Sequence, residues 1–228
     1  MDISKRLQAV AALVSYPLVA DIGTDHGYVP IFLHSLRKIT KAFACDVRKG
    51  PLEKAKENIL LYDAQSVIET RLGSGLTPLQ PKEAQTAVIA GMGGMLTIRI
   101  LEDSPAVVAA LKELILAPQH DVDAVRRYLH TIGFSIETEL MLKEEGKYYN
   151  ILRCIPGEEK YQREIDYLYG NGLLLQKNPL LKELLTTEER KYRLVEQRLL
   201  ESQTENAKER LLQVREKLGF MREALACL

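Results

Sequence analysis

The stretch VADIGTDHGYVP, residues 19–30, decides the fold class because it joins a buried strand directly to a glycine-containing loop. Its apolar start is typical of a strand covered on both faces, and a helix is predicted from about Pro30 to Leu36. The loop lacks the G-x-G-x-x-G pattern of nicotinamide-binding folds. Asp25 and His26 stand instead where a phosphate-binding loop has small residues.

Strand and helix alternate around this stretch as far as residue 156. Residues 4–14 predict a helix capped by Ser4, and the hairpin that closes this part of the chain is predicted at residues 134–156. Between them, strands are predicted at KAFACDV, VIETRL, TAVIA and ELILA, and helices at GPLEKAKENILLYD, MLTIRILED and DVDAVRRYLHTIG. The alternation predicts an α/β fold, a doubly wound and mostly parallel Rossmann-like sheet with helices on both faces.

Unusual sequences follow all five predicted parallel strands, namely GTDHG, CDVRKG, RLGSGL, AGMGG and APQHD. In a doubly wound sheet the ligand lies outside the carboxyl ends of the strands, near the point where the strand order reverses. The five loops are therefore predicted to converge on one crevice.

The acidic residues of the first loop indicate what this crevice holds. Asp21 and Asp25 would repel a diphosphate but suit a cationic ligand with an amino group. S-adenosylmethionine fits, because it has a sulfonium, an ammonium and a ribose but no phosphate. Gly23 and Gly27 allow the backbone to approach such a ligand closely.

The second and third loops complete the predicted cofactor site. Asp46 ends the second strand, where a carboxylate accepts hydrogen bonds from ribose hydroxyls. Gly73 and Ser74 offer backbone groups to the adenine ring. The prediction also includes four neighbouring residues: His26, Val47, Gly91 and Met92. The glycines at 91, 93 and 94 form a floor that could admit a planar base.

Composition narrows the class of protein further. The 228 residues are 46% apolar with a formal net charge of zero, so a nucleic-acid partner needs a local basic face. No apolar run approaches a membrane span, and the first ten residues do not resemble a secretion signal. The three cysteines stand singly without metal-binding spacing. These features predict a cytoplasmic protein with no metal site and no membrane segment.

The chain changes character after residue 156. From Glu158 onward charges are dense and strand signals are missing, which predicts domains at 1–156 and 157–228. TTEE at 186–189 and SQTE at 202–205 are interpreted as capping boxes. We therefore expect an antiparallel coiled-coil hairpin that turns near Ser202; the alternative is one long helix with a stutter. Two heptad seams support it: Leu181, Leu185, Tyr192, Val195 and Leu199, then Leu211, Val214, Leu218, Met221 and Leu225.

Several of these motifs together resemble the bacterial TrmK family, tRNA (adenine-N1)-methyltransferases that act on adenine 22. The resemblance covers residues 1 to about 155 and implies a class I methyltransferase fold, S-adenosylmethionine as cofactor and tRNA as partner. The matching segments are SKRL, VADIGTDHGYVP, DVRKGPLEKAKENI, RLGSGL, AVIAGMGGMLTIRIL, LILAPQ and EEGKYYNIL.

The resemblance also implies a mechanism and candidate residues. Adenine N1 has an in-plane lone pair, so it attacks the methyl group directly and needs no general base. Asp25 is the candidate that contacts the adenine amino group or supports the cationic product, and Tyr28 or His26 could stack on the base. Because N1 is hidden in base-paired RNA, the nucleotide must be extruded, which predicts dependence on folded tRNA. The hairpin is a candidate tRNA-binding arm through Lys191, Arg193, Arg198, Lys208 and Arg210. The alternative for the hairpin is a solvated element that packs on the catalytic domain.

Two other classes of function remain open at this point. One is a class I methyltransferase acting on a small molecule or a protein, and the other is a non-catalytic adaptor that keeps the fold. A monomer is favoured, and a dimer paired through the coiled coil is the alternative.

Overall fold

A seven-stranded sheet organises the first part of the chain in the computed structural model, which describes residues 3–201 and 204–228. Its strand order is β3-β2-β1-β4-β5-β7-β6. The five strands β1 to β5 pair in parallel, and β7 pairs with β5 antiparallel. The predicted α/β fold is therefore confirmed. The strands are β1 (Leu18–Ile22), β2 (Lys41–Asp46), β3 (Ile68–Leu72), β4 (Thr86–Ala90), β5 (Glu113–Ala117), β6 (Phe134–Glu144) and β7 (Lys147–Pro156).

Helices connect the strands close to where the sequence predicts them. Ser4 caps the first helix, since its hydroxyl accepts a hydrogen bond from the Leu7 N–H. The second helix begins at Tyr28, two residues before the predicted start, because Gly27 adopts φ 72° and ends the loop there. The helices are α1 (Lys5–Leu13), α2 (Tyr28–Ser35), α3 (Lys49–Leu61), α4 (Gly94–Glu102), the short unpredicted α5 (Pro105–Val108) and α6 (Val122–Thr131).

Both faces of the central strands are buried. Ala20 and Ile22 of β1 belong to a cluster on one face that includes Leu101 of α4 and Leu129 of α6. Because side chains alternate along a strand, Val19 and Asp21 point to the other face. Burial of each such leucine or isoleucine stabilises the fold by about 1.5–3 kcal/mol. The alternation fixes Asp21 at the end of β1, next to the loop it serves.

The chain divides into two compact units. The first runs to Leu140 and includes Glu144–Glu159; the second comprises Met141–Lys143 and the residues from Lys160 onward. The predicted boundary between domains 1–156 and 157–228 stays a prediction. The helices of the second unit are α7 (Glu164–Tyr169), α8 (Asn171–Leu175), α9 (Pro179–Leu200) and α10 (Glu205–Cys227).

The helices α9 and α10 form an antiparallel pair. Arg222 of α10 lies 3.5 Å from Glu189, whereas Arg215, about two turns earlier, lies 2.9 Å from Glu196. The order of these contacts reverses between the helices, so the hairpin forms instead of one long helix. The turn predicted near Ser202 lies outside the described residues.

Of the two predicted capping boxes in this unit, the first does not begin a helix. TTEE at 186–189 is wrong as a helix start, because it lies inside α9. The hydroxyls of Thr186 and Thr187 donate to the carbonyls of Lys182 and Glu183 one turn earlier, which lets both threonines sit inside a helix. Ser202 of SQTE is outside the described residues, and Thr204 caps α10.

Half of the ten predicted seam residues are buried, and four others are partly exposed. Leu181 and Leu185 of α9 are buried, as are three residues of the α10 seam. Val195 departs from the prediction, since it is 37% exposed. The buried α10 residues are Val214, Leu218 and Met221.

No helix among the described residues is both long and apolar enough to cross a membrane.

Candidate functional site

A cavity of about 530 Å³ opens at the carboxyl ends of β1 to β5. Its volume is within the range of small-molecule and cofactor sites. All five predicted loops contribute to its lining, which confirms that they converge on one crevice. These loop residues are Asp21 to His26 and Tyr28 after β1, Cys45 to Arg48 after β2, Gly73 to Gly75 after β3, Ala90 to Met92 after β4, and Gln119 after β5.

The structure brings eleven of the twelve predicted catalytic and cofactor residues to this cavity. Gly27 is the exception, because it ends the first loop at the start of α2 and is not among the lining residues. The eleven are Asp21, Gly23, Asp25, His26, Tyr28, Asp46, Val47, Gly73, Ser74, Gly91 and Met92. Their proximity fits one ligand site, while the role of each side chain stays a prediction.

Asp21 is a buried carboxyl group at the end of β1, and its side chain accepts a hydrogen bond of 2.6 Å from the Thr24 hydroxyl. Burial raises the pKa of Asp21 to about 6; the Thr24 hydrogen bond opposes that rise, and the nearby Asp46 carboxylate adds to it. A cationic ligand beside Asp21 would favour the carboxylate form.

The backbone of the first loop is held against the end of β2. The N–H groups of Gly23 and Thr24 both donate to the Cys45 carbonyl, at 2.8 and 3.0 Å. Gly23 adopts φ 70°, and a Cβ at this position would collide with Met92 Cε. Glycine at 23 is therefore required by its left-handed backbone conformation, whereas the flexible end of Met92 can move away from a Cβ.

Asp25, His26 and Tyr28 form one group at the rim of the cavity. The His26 ring stacks on the Tyr28 ring with centroids 5.1 Å apart and planes inclined by 9°. His26 Nε2 lies 3.6 Å from Asp25 Oδ2, and the Asp25 side chain is 60% exposed. The group thus presents a carboxylate and an ordered aromatic surface to whatever enters the cavity.

Asp46 is the second buried carboxyl group of the site. Its Oδ1 accepts a hydrogen bond from the Arg48 N–H at 2.8 Å, which orients the side chain. The backbone carbonyl of Asp46 accepts a hydrogen bond of 3.0 Å from the Gly73 N–H, which connects the β2 loop to the β3 loop. Cys45 beside it is not a thiolate, because burial raises the pKa of its thiol to about 12.

The glycines after β4 have different roles. Gly91 lines the cavity with φ 84°. Gly94 packs on the β5 loop instead, where a Cβ would lie 2.5 Å from the Asp121 carbonyl oxygen. Gly93 is likewise covered by His120. The predicted glycine floor is thus wrong for residues 93 and 94, which pack against backbone or side chain and do not line the cavity.

Sequence reasoning missed several residues of the lining. Arg6 and Leu7 come from α1, and Thr24 and Arg48 flank predicted positions. The SKRL and APQHD segments were the available signals, but neither pattern by itself indicates a side chain in the cavity. Leu96, Ile100 and Gln119 are further examples.

The five basic residues predicted to contact tRNA lie on α9 and α10. Three of them pair with glutamates of their own helix: Lys191 with Glu188, Arg193 with Glu189 and Lys208 with Glu205, at 2.6–2.8 Å. Arg210 donates to Gln213, and Arg198 lies in the last turn of α9. Their role toward tRNA stays a prediction.

The donor set of the cavity fits S-adenosylmethionine better than a metal ion or a dinucleotide. Asp21 and Asp46 are buried carboxyl groups on adjacent strand ends, and Asp25 adds a third acid. The lining also contains Arg6 and Arg48, so it suits a ligand with a cationic group beside the three acids, where a pyrophosphate would be repelled. Among residues 3–201 and 204–228, no group of three His, Cys, Asp or Glu side chains is arranged to hold a metal ion.

Comparison with known proteins agrees with this geometry. The family model described as a methyltransferase domain matches residues 3–152. A tRNA (adenine(22)-N(1))-methyltransferase of Bacillus subtilis is 29% identical over 99% of this chain and 98% of its own length. The crystal structure of that organism's TrmK has a TM-score of 0.90 and covers 98% of this chain and 99% of its own.

A second similar structure is Sp1610 of Streptococcus pneumoniae, a candidate tRNA (m1A22) methyltransferase. It is 33% identical with a TM-score of 0.90, and the match covers 98% of this chain and all of the other. In a second crystal structure Sp1610 is in complex with S-adenosyl-L-methionine, with 31% identity, a TM-score of 0.88 and the same coverage. The matching domain, these likenesses and the acidic cavity lead to one conclusion: the chain belongs to the TrmK family of methyltransferases.

Proposed function

We propose that this protein transfers the methyl group of S-adenosylmethionine to N1 of adenine 22 in tRNA. The observation that supports this most strongly is the likeness to the Bacillus subtilis adenine-22 enzyme over 99% of the chain. A likeness of that extent favours a tRNA substrate over a small molecule or a protein, and favours an enzyme over an adaptor.

The cofactor supplies an electrophilic methyl group on a sulfonium, and the cavity residues bind and orient it. Asp46, held by the Arg48 N–H, is the acceptor for ribose hydroxyls. Gly73 and Ser74 offer backbone groups to the adenine ring, with Val47 beside them. Asp21 in its carboxylate form faces the ammonium group. Gly23, His26, Gly91 and Met92 shape the remaining wall, and Gly27 fixes the loop.

Asp25 and Tyr28 are the residues we assign to the target base. Because the N1 lone pair needs no general base, their work is orientation and electrostatic support for the charge that moves onto adenine. Tyr28 is held by its stack with His26, so its ring is ordered before the base arrives. Asp25 contacts the adenine amino group or supports the cationic product.

Each assignment has a direct test in steady-state kinetics on tRNA. Asp25→Ala is expected to lower kcat, and a variant with unchanged tRNA binding and turnover would remove Asp25 from the mechanism. Tyr28→Ala is expected to lose the stacking contribution of about 1–3 kcal/mol, which is a fall in kcat/KM of about 5- to 150-fold. Tyr28→Phe keeps the ring and serves as the matched control.

We propose that the hairpin of α9 and α10 grips tRNA through Lys191, Arg193, Arg198, Lys208 and Arg210. Three of these pair with glutamates, so binding to phosphate requires an exchange of partners. Each phosphate contact that is lost should reduce the slope of log K against log salt by about 0.7–0.9. Alanine variants with unchanged tRNA affinity and slope would contradict this role and leave a solvated hairpin.

The same function implies where and how the protein works. We propose that it acts in the cytoplasm, where its tRNA substrate is, and as a monomer with domains at 1–156 and 157–228. The pairing of α9 with α10 inside one chain supports the monomer, since it uses the seam that a dimer would need. Light scattering after size-exclusion chromatography tests this, and a mass near twice 25.8 kDa would contradict it.

The function as a whole is tested by incubating purified protein with labelled S-adenosylmethionine and an unmodified tRNA transcript. N1-methyladenosine in the digested RNA is the expected product. Free adenosine serves as the control, because the cost of base extrusion predicts that only folded tRNA is methylated.

A further inference from the structure

Gln119 lines the cavity after β5, and the proposed mechanism gives its side chain no role. Its backbone is fixed, because its N–H donates to the Met92 carbonyl at 2.9 Å. A second hydrogen bond of 3.1 Å, from the Gly91 N–H to the Ala117 carbonyl, joins the same two loops. The Gln119 side chain is exposed, and within the part of the chain that the structure describes its carboxamide has no hydrogen-bond partner. Gln119 is therefore a firmly placed residue with a free amide group.

The cavity wall beside Gln119 is apolar. Of the described lining residues that belong to β4, α4 and the loops after β4 and β5, Gln119 alone has a side chain that both donates and accepts hydrogen bonds. Its neighbours in this wall include Met92, Leu96 and Ile100. Gln119 Nε2 lies 4.0 Å from where a Cβ on Gly91 would be, so the amide is beside this glycine. An apolar wall with one amide suits a flat, uncharged ring with polar atoms on its edge.

The sheet order indicates which reactant lies on this side of the cavity. β2 and β3 lie on one side of β1, and β4 and β5 lie on the other. The residues proposed for the ribose and the adenine ring of the cofactor follow β2 and β3. The side of β4 and β5 is therefore open to the target base, which would meet Gln119 there.

The reaction limits which edge of the target adenine a side chain can hold. N1 must face the methyl group, so a side chain bound to N1 would block the transfer. N7 and the amino hydrogen that points toward it lie on a different edge. A glutamine amide matches that edge, because its oxygen accepts from the amino group while its nitrogen donates to N7. The second amino hydrogen stays available to Asp25.

We infer that Gln119 selects adenine as the target base by binding its amino group and N7. This inference rests on the proposed function, because it assumes that an adenine of tRNA enters the cavity. Gln119 then determines specificity through complementary polar atoms. Guanine has two acceptors, O6 and N7, on the same edge, so its O6 would face the amide oxygen.

The inference is tested with two tRNA transcripts that differ in one atom at position 22. One has adenosine there, and the other has 7-deazaadenosine, in which a C–H group replaces N7 and N1 is kept. The methylation kcat/KM is measured with both transcripts for the wild-type protein, Gln119→Ala, Gln119→Glu and Gln80→Ala. Gln80→Ala is the matched control, because it removes the same side chain from an exposed position outside the cavity lining.

The quantity compared is the ratio of kcat/KM for adenosine to kcat/KM for 7-deazaadenosine. This ratio is expected to be about 2- to 12-fold larger for the wild-type protein than for Gln119→Ala or Gln119→Glu, which cannot donate to N7. Comparing ratios between proteins cancels any effect of the missing nitrogen on the reactivity of N1. Gln80→Ala should keep the wild-type ratio.

Two further measurements locate the effect on the base. With the adenosine transcript, Gln119→Ala should lower kcat/KM about 5- to 150-fold, as expected for a two-bond contact with a base. Its affinity for S-adenosylhomocysteine, measured by calorimetry, should stay within about twofold of the wild-type value. Retained binding of that ligand also shows that the cavity is intact in the variant. If Gln119→Ala does not fold, Gln119→Glu provides the comparison of ratios, since it keeps the shape of the side chain.

An identical ratio for the wild-type protein and the Gln119 variants would overturn the inference, because N7 would then not face Gln119. A loss of S-adenosylhomocysteine affinity in Gln119→Ala as large as its loss in kcat/KM would assign the amide to the cofactor instead. If the wild-type protein methylated neither transcript, the proposed function would fail together with the inference, and that result is distinct from the other two.

Discussion

Asp21→Asn should make this protein more stable at pH 8 while removing part of its function. The folded-state pKa of Asp21 is about 6, whereas its usual value is 3.8. The folded protein therefore keeps a proton that the unfolded chain releases between these values. The stability from this proton is present below pH 3.8 and is lost as the pH rises through 6.

The size of the effect follows from that difference. Holding Asp21 as a buried carboxylate costs the folded state about 3 kcal/mol at pH 8. Asparagine has a similar shape, keeps an acceptor for the Thr24 hydroxyl and carries no charge. Asp21→Asn should therefore raise the Tm by about 6–12 °C at pH 8. At pH 5 the gain should fall by about half, because the folded wild-type carboxyl group is then mostly protonated.

The assay is thermal unfolding followed by circular dichroism, without ligand, at pH 8 and pH 5. Asp25→Asn is the matched control, since that side chain is 60% exposed and its Tm should change by about 1–2 °C at most. A Tm of Asp21→Asn at or below the wild-type value at pH 8 would refute the reasoning. Calorimetry adds the functional side: wild-type affinity for S-adenosylhomocysteine should fall below pH 6, and the weak binding of Asp21→Asn should not follow pH.

Three further predictions concern the rest of the first unit and the helical hairpin. Gly94→Ala should lower the free energy of unfolding by about 1–3 kcal/mol in urea titrations, because its Cβ would meet the backbone of the β5 loop. Gly219→Ala in α10 has open space around its Cβ and should instead raise the free energy of unfolding by about 0.5–1 kcal/mol. Arg126→Met should lower the free energy of unfolding by about 3–5 kcal/mol, because it leaves the buried Glu139 without its ion-pair partner. In the same urea titrations, the double variant with Glu139→Leu should recover most of this loss, whereas additive losses would contradict a coupled pair. Asp46→Ala should weaken S-adenosylhomocysteine about 10- to 100-fold in calorimetry, and unchanged affinity would remove Asp46 from the ribose site.

The sheet and most of the cavity were predictable because local chemistry marks them. Glycine and aspartate at the ends of apolar runs indicated where the strands end and placed Asp21 and Asp46 at those ends. Parallel strands then bring such loops together without further information. For that reason eleven of the twelve predicted catalytic and cofactor residues line the cavity.

The residues that sequence reasoning missed depend on tertiary contacts. Arg6 reaches the cavity only because α1 packs on α2, β5 and β7, and no local pattern encodes that packing. Gly94 resembles a ligand-binding glycine in sequence, yet in the structure its missing side chain leaves room for the backbone of the β5 loop. The false capping box at Thr186 arose because a threonine hydroxyl can bond a carbonyl within a helix as well as an N–H at its start.

The measurement that tests the central claim most directly is the mapping of methylated adenosine in tRNA. Two unmodified transcripts, one with adenine and one with guanine at position 22, are incubated with the protein and S-adenosylmethionine, then digested and analysed by mass spectrometry. The account predicts N1-methyladenosine in the fragment that contains position 22 of the first transcript and no methylation of the second. Equal methylation of both transcripts, or none of either by protein that binds S-adenosylhomocysteine, would contradict it.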